Sequence, residues 1–224
     1  MLLEKIAAYV RSLITMLALM AAATGAQAQE MQLHAAARNG DVAGLRALLD
    51  KGAKIDARNA AGATALLVAT HGNQVEAARV LIEAGADVNA KDGIQDSPYL
   101  YAGARGHNEI LKMTLAHGAD LKSTNRYGGT ALIPAAERGL VETVRILIDA
   151  GVDVNHVNNL QWTALLEAIV LGNGGPRHTE VVRLLAAARA DVNIPDGQGV
   201  TPLQHARRRG FREMESILAG AGAR

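Results

Sequence analysis

Hydrophobic and polar positions fall into short blocks that repeat along most of the chain. One block, Thr130-Ala131-Leu132-Ile133-Pro134-Ala135-Ala136-Glu137-Arg138, is an apolar run opened by a hydroxyl residue and closed by Gly139. The next, Val141-Glu142-Thr143-Val144-Arg145-Ile146-Leu147-Ile148-Asp149-Ala150, sets Leu and Ile at helical spacing with charges between them. Together they predict two short helices in a row. Gly151 follows and supplies the left-handed residue that ends the second. An Asp-Val-Asn stretch rich in Asn and Gly then predicts a turn or hairpin leading to the next hydroxyl. That hydroxyl is a helix N-cap, its oxygen placed to accept from the first-turn amides. Pro98 and Pro202 come directly after such caps, where a missing N–H costs nothing.

The blocks have a period. Gly52, Gly85, Gly118 and Gly151 are 33 residues apart, and so are Thr64, Ser97, Thr130 and Thr163. The next cap is Thr201, 38 residues on, so one unit carries a five-residue insertion, placed within Gly172–His178 between its two helices. The spacing divides the chain into six units, about 31–58, 59–91, 92–124, 125–157, 158–195 and 196–224. One unit cannot bury its apolar face alone, and stacking makes a continuous core whose ends need polar faces. Glu215 stands where unit four has Val144, which suits a closing unit.

The residues that carry the period resemble the ankyrin repeat family. Thr201-Pro202-Leu203 with Ala206 and Gly210 is similar to that family's first-helix signature, and Gly85-Ala86-Asp87-Val88-Asn89-Ala90 to its second-helix exit. The resemblance runs from Met31 to Arg224 and implies an all-α solenoid of about six helix-turn-helix units joined by β-hairpin-like loops. Some positions depart from the family pattern. Its histidine after Thr-Pro-Leu is present only as His34. Asn73 replaces an inter-helix glycine and Arg189 an exit glycine, the latter at a cost of about 1 kcal/mol. Pro134 removes an amide donor early in a helix.

The first 28 residues follow a different pattern. Lys5 and Arg11 make a basic front, Ser12 to Thr24 is uncharged and apolar, and Ala26-Gln27-Ala28 offers small residues at a peptidase site. This is the three-part pattern of a cleaved secretory signal with Gln29 first in the mature chain. It places the mature protein, residues 29–224, in the periplasm or outside the cell, with no stable membrane association after cleavage. If uncleaved, the segment is a membrane tether. Removing it takes away Lys5, Arg11 and Glu4 and leaves basic and acidic residues in balance. A near-neutral chain has no global pull toward nucleic acid, and Arg207-Arg208-Arg209 comes with no base-reading module. The absence of cysteine excludes a disulfide scaffold and thiol chemistry. Aromatics make up only 3% of the chain against 49% hydrophobic residues, which suits short helices packed closely through small aliphatics.

Candidate chemistry is sparse. The seven histidines are scattered without metal-ligand spacing, and no cofactor or catalytic constellation is implied. Glu76, Glu109, Glu142, Glu180 and Glu213 recur at the start of the second helix, where negative charge is favourable. Gly172-Asn173-Gly174-Gly175 lacks the Lys and Ser/Thr of a phosphate loop and reads as a flexible loop.

The resemblance implies that a partner protein meets the hairpin tips and the exposed face of the first helix. By register the tips hold Ala61, Ile94, Tyr127, Leu160 and Gln198, with Trp162 directly before its cap. Trp162 is either an anchor or packed on the next hairpin. Eight after each cap lie Asn39, Gly72, Arg105, Arg138, Leu171 and Arg209, with Arg38 and Arg208 adjacent. The guanidiniums suit an acidic partner surface; Glu137 and Glu167 dilute them, and a solvated face is the other reading. The sequence therefore points to a monomeric, non-catalytic interaction module whose partner-facing residues are Ile94, Tyr127, Leu160, Trp162, Arg38, Arg105, Arg138, Arg208 and Arg209. An accessory that protects or activates an exported enzyme remains the second reading.

Overall fold

The computed structural model describes residues 25–224, together with Tyr9 and Met16. The basic front and apolar run of the expected signal otherwise lie outside the described residues. The described chain forms twelve helices with no strand: α1 (25–39), α2 (Val42–Asp50), α3 (Ala65–His71), α4 (Val75–Glu83), α5 (Pro98–Arg105), α6 (Asn108–Ala116), α7 (Leu132–Glu137), α8 (Val141–Asp149), α9 (Ala164–Val170), α10 (Pro176–Ala187), α11 (Pro202–Arg208) and α12 (Arg212–Gly220). From α3 onward the odd helices pack on one another in one layer, and the even helices form the other from α2. The core between them is aliphatic and largely alanine, as in Ala65, Leu66, Leu67 and Ala69 of α3 and Ala164, Leu165, Leu166 and Ala168 of α9. Small residues let the first helices close up. At Gly103 an added Cβ would sit 2.8 Å from the Ala131 Cβ.

Helix starts follow the caps at four of the five hydroxyls. Thr64, Ser97, Thr163 and Thr201 accept from the amides of Leu67, Leu100, Leu166 and Gln204, and Gln204 closes a capping box on Thr201. Thr130 does not cap. Elsewhere the fourth residue after the cap donates its amide to the cap carbonyl, as Val68 does to Thr64 at 3.0 Å and Glu167 to Thr163 at 3.0 Å. Pro134 occupies that place in α7 and has no N–H. Ile133 N–H turns to the Thr130 carbonyl instead, at 3.2 Å, and the buried Thr130 hydroxyl is left without a partner.

The Asp-Val-Asn repeat acts as a ladder between units. The carboxylate or amide oxygen of Asp56, Asn89, Asn155 and Asn193 accepts the backbone amide of Asp87, Asp120, Asp191 and Arg224, one unit on, at 2.7–3.0 Å. Lys122 holds the same register between units three and four and has no acceptor to offer. Histidines add further ties. His34 Nε2 lies 3.0 Å from the Ala63 carbonyl oxygen, His107 Nδ1 3.0 Å from that of Thr70, and His156 Nε2 2.6 Å from that of Gly128.

Two expectations change, on the insertion and on Glu180, and the proposed cleavage site is given a place in the structure. The first helix is already formed at residue 25, so the proposed cleavage site lies within it: Ala26 and Ala28 are exposed, and Gln29 donates to the Leu48 carbonyl at the end of α2, at 3.2 Å. The insertion is a packed loop. Pro176, Arg177 and His178 lengthen α10 by its first turn, and His178 Nε2 lies 2.9 Å from the Glu137 carbonyl oxygen in unit four. Arg209 donates to the Gly172 carbonyl at 2.8 Å, and Gly174 lies so close to the Phe211 ring that a Cβ there would clash. The longer helix also moves Glu180 out of its first turn, unlike Glu76, Glu109, Glu142 and Glu213. Arg189 and Asn73 adopt left-handed backbone as expected; Gln95 and Gln161 do so too, at loop positions where Gly62, Gly128 and Gly199 stand in other units.

Candidate partner-binding groove

Each loop between units is a turn locked by one Asx side chain. The Oδ1 of Asn59, Asp92, Asn125, Asn158 and Asp196 accepts two backbone amides, those two and four residues on. A bond across the turn closes it, as from Asn125 N–H to the Gly129 carbonyl at 2.9 Å. The amides two residues on belong to Ala61, Ile94, Tyr127, Leu160 and Gln198, so the tip row is set by its own backbone. Ile94 is 53%, Tyr127 55% and Leu160 57% exposed. Trp162 differs: it is half-buried and does not line the groove beneath these tips. It sits just before the cap, where the chain turns inward and Ala63 and Gly129 are buried in their own units.

Beneath the tips, units three to five enclose a groove of about 280 Å³. Tyr127 and Leu160 form its apolar rim, and Arg105, Arg126 and Arg138 its cationic one. Arg105 lies over the Tyr101 ring at 5.4 Å and Arg126 over Tyr127 at 4.9 Å. Stacking of this kind holds a guanidinium in place and leaves its donors outward. None of the three arginines forms an ion pair among the described residues. The groove therefore brings together two tips and two of the column arginines. Ile94 is outside it, as are the exposed Arg38 and Arg208 in the end units. Arg209 is engaged with the insertion and lies over Phe211 at 4.8 Å.

The floor holds Glu167 and Asp96, of which the sequence pattern marked Glu167 only as diluting the arginine charge. Glu167 is only 4% exposed, and one of its oxygens accepts from the Asn158 amide at 2.9 Å. Burial, with Glu137 nearby, raises its pKa to about 7 against the bond from Asn158. Asp96 is also raised, by burial and by Asp92, with Arg126 opposing. Near neutral pH the groove can hold a proton on Glu167 while offering three guanidiniums to a ligand. The signal for Glu167 was present: it is a lone carboxylate inside the apolar run Ala164–Val170. Among the described residues, no group of three or more His, Cys, Asp or Glu side chains is arranged to hold a metal ion.

Comparison with known proteins places this architecture. A family profile described as "Ankyrin repeats (3 copies)" matches residues 5–92 and 99–196, and one described as "Ankyrin repeats (many copies)" matches 176–218. The chain belongs to the ankyrin repeat family. The crystal structure of an ankyrin repeat domain from Acinetobacter baumannii AYE is 66% identical, with a TM-score of 0.85 over 86% of this chain and 98% of that one. A second solved ankyrin repeat protein is 41% identical, with a TM-score of 0.82 over 85% of this chain and 97% of its own. Over 57 residues, 25% of this chain, it is 46% identical to the ankyrin repeat protein YahD of Escherichia coli (strain K12), and that stretch spans 28% of YahD. Ankyrin repeats generally act as non-catalytic scaffolds for protein–protein interaction, and a concave groove beneath rigid tips is a geometry suited to that work.

Proposed function

We propose that this ankyrin domain is a monomeric, non-catalytic module, exported through a cleaved N-terminal signal to the periplasm or the cell exterior, where it binds another protein. The observation that carries the binding reading is the pairing of exposure with rigidity at Tyr127 and Leu160. Both are more than half exposed, yet the amide of each is held by an Asx side chain at 2.9 Å. An apolar surface fixed before binding loses little ordering entropy when a partner arrives. The basic front, apolar run and Ala26-Gln27-Ala28 support export. No helix among the described residues is long and apolar enough to cross a membrane.

A crosslinked pull-down from the exported fraction tests the binding reading, with the natural chain and a folded Tyr127→Ala, Leu160→Ala variant as baits. A partner held by the first and lost by the second is the expected result; equal capture by both rejects the tip assignment. Intact mass of the exported protein tests the signal: a chain beginning at Gln29 is expected, and one retaining residue 1 makes the segment a tether.

A further inference from the structure

We infer that the groove takes an extended, acidic segment of the partner, with carboxylates on the arginine side and apolar side chains on the Tyr127–Leu160 side. The inference rests on the binding reading above and adds the chemistry of what is bound.

The two sides run parallel along the stack. Arg105 and Arg138 occupy the same register on α5 and α7, and Tyr127 and Leu160 the same register on successive tips. Packed helices lie roughly 8–10 Å apart. A strand laid along the stack rises about 3.3 Å per residue and points successive side chains to opposite sides. Alternating acidic and apolar residues would thus meet one side each, and the long arginine side chains take up the mismatch in spacing. An arginine that stacks on Tyr101 or Tyr127 is already positioned, so a carboxylate need not order it. The carboxyls of the groove lie deeper: Glu167 is buried, Asp96 and Glu137 are half-buried, and Arg105 and Arg138 are exposed. A segment approaching from solvent therefore meets guanidinium first. A lysine-rich segment meets three like charges before any carboxylate. Burial also favours the protonated form of Glu167, which leaves the rim charge less cancelled than a formal count of side chains suggests.

The probe is a pool of fluorescein-labelled nonapeptides with Glu or Asp fixed at alternate positions and apolar residues randomised between them. A second pool replaces the acids with Lys. Anisotropy at low and high salt reads binding to the full exported chain. The acidic pool should bind at least tenfold tighter than the lysine pool and weaken as salt rises. The double variant Arg105→Gln, Arg138→Gln should lose tenfold or more while its thermal melt is unchanged. Arg145→Gln, on α8 in the other helix layer and outside the groove, should leave binding as it was. No binding by the acidic pool, no preference over the lysine pool, or indifference to the double variant overturns the inference. A partner captured in the pull-down and released by the tip variant would still uphold the binding reading in each of those cases.

Discussion

Replacing Pro134 should stabilise the protein, and the reason lies in a hydroxyl four residues away. In four of the five first helices preceded by a hydroxyl residue the carbonyl of that residue accepts the amide four residues on, and its hydroxyl is left to accept the amide three residues on. Pro134 breaks the first of these bonds. Ile133 N–H is diverted to the carbonyl, and the Thr130 hydroxyl, buried and unpartnered, loses the second. Pro134→Ala restores both. A cap contributes about 1 kcal/mol and a backbone hydrogen bond another ~1; the freer unfolded chain offsets some 0.4–1 of this. A net gain of about 1 kcal/mol remains, which raises the melting temperature by roughly 2–4 °C in a chain of this length. The assay is a double-mutant cycle with Thr130→Val, read from urea midpoints at unchanged m. In the natural chain Thr130→Val removes an orphaned hydroxyl and should be neutral or stabilising. In the Pro134→Ala background the same change should cost about 1 kcal/mol, as Thr163→Val should in the natural chain. Equal costs for Thr130→Val and Thr163→Val in the natural chain, or a Pro134→Ala variant less stable than its parent, would refute the diversion of Ile133.

Three other outcomes follow from local chemistry. Among the described residues Tyr99 is the largest fully buried side chain and its hydroxyl has no partner, so Tyr99→Phe should add about 1 kcal/mol to stability in a urea titration. Glu167 is raised from 4.5 to about 7, so the folded chain holds its proton more tightly than the unfolded one, and the penalty is absent below pH 4.5 and complete above 7. Glu167→Gln keeps the acceptor for Asn158 and should match the natural chain at pH 4 but exceed it by about 2–3 kcal/mol at pH 8, some solvent screening included; a constant difference across that range would reject the ionisation account. Lys122→Asn should supply the missing acceptor for the Asp153 amide and raise the melting temperature by roughly 1–3 °C, a gain of about 0.5–1 kcal/mol.

Much of this architecture was legible because each signal is local. The caps at Thr64, Ser97, Thr163 and Thr201 and the left-handed residues at Asn73 and Arg189 need only their own turn to be read. The failures have a common cause in partners distant along the chain or in competition for one amide. Thr130 matches the cap pattern, and only the bond that Pro134 cannot make diverts Ile133. The Gly172–Gly175 loop has the composition of a flexible linker, and what pins it lies in other units, at Glu137 through His178 and at Arg209 and Phe211. Trp162 shares a register and an Asx-turn bond with Asp96 and Gly129, which do line the groove, so position in the unit alone could not separate it from them. Glu167 was visible as a carboxylate in an apolar run, yet its depth follows from the stacking of α7 against α9.

The departures from local rules are concentrated in one region. The orphaned hydroxyls of Tyr99 and Thr130, the missing rung at Lys122, Pro134 within a first turn and the buried Glu167 all lie between residues 99 and 167, whereas the left-handed Asn73, Gln95, Gln161 and Arg189 are spread along the stack. The unpaired hydroxyls, the missing rung and the buried carboxyl are each expected to cost stability. Tyr101, Pro134 and Glu167 occupy the same register in three successive units, four residues after the cap, and all three line the groove. At that place a ring, an imino acid and a carboxyl make three different surfaces, where an aliphatic such as Val68 would serve the stack alone. Sequences that fold well satisfy local preferences except where another requirement competes. Here Tyr101, Pro134 and Glu167 line a groove whose tips are held by their own turns, which is where a binding surface would impose its own choice of side chains.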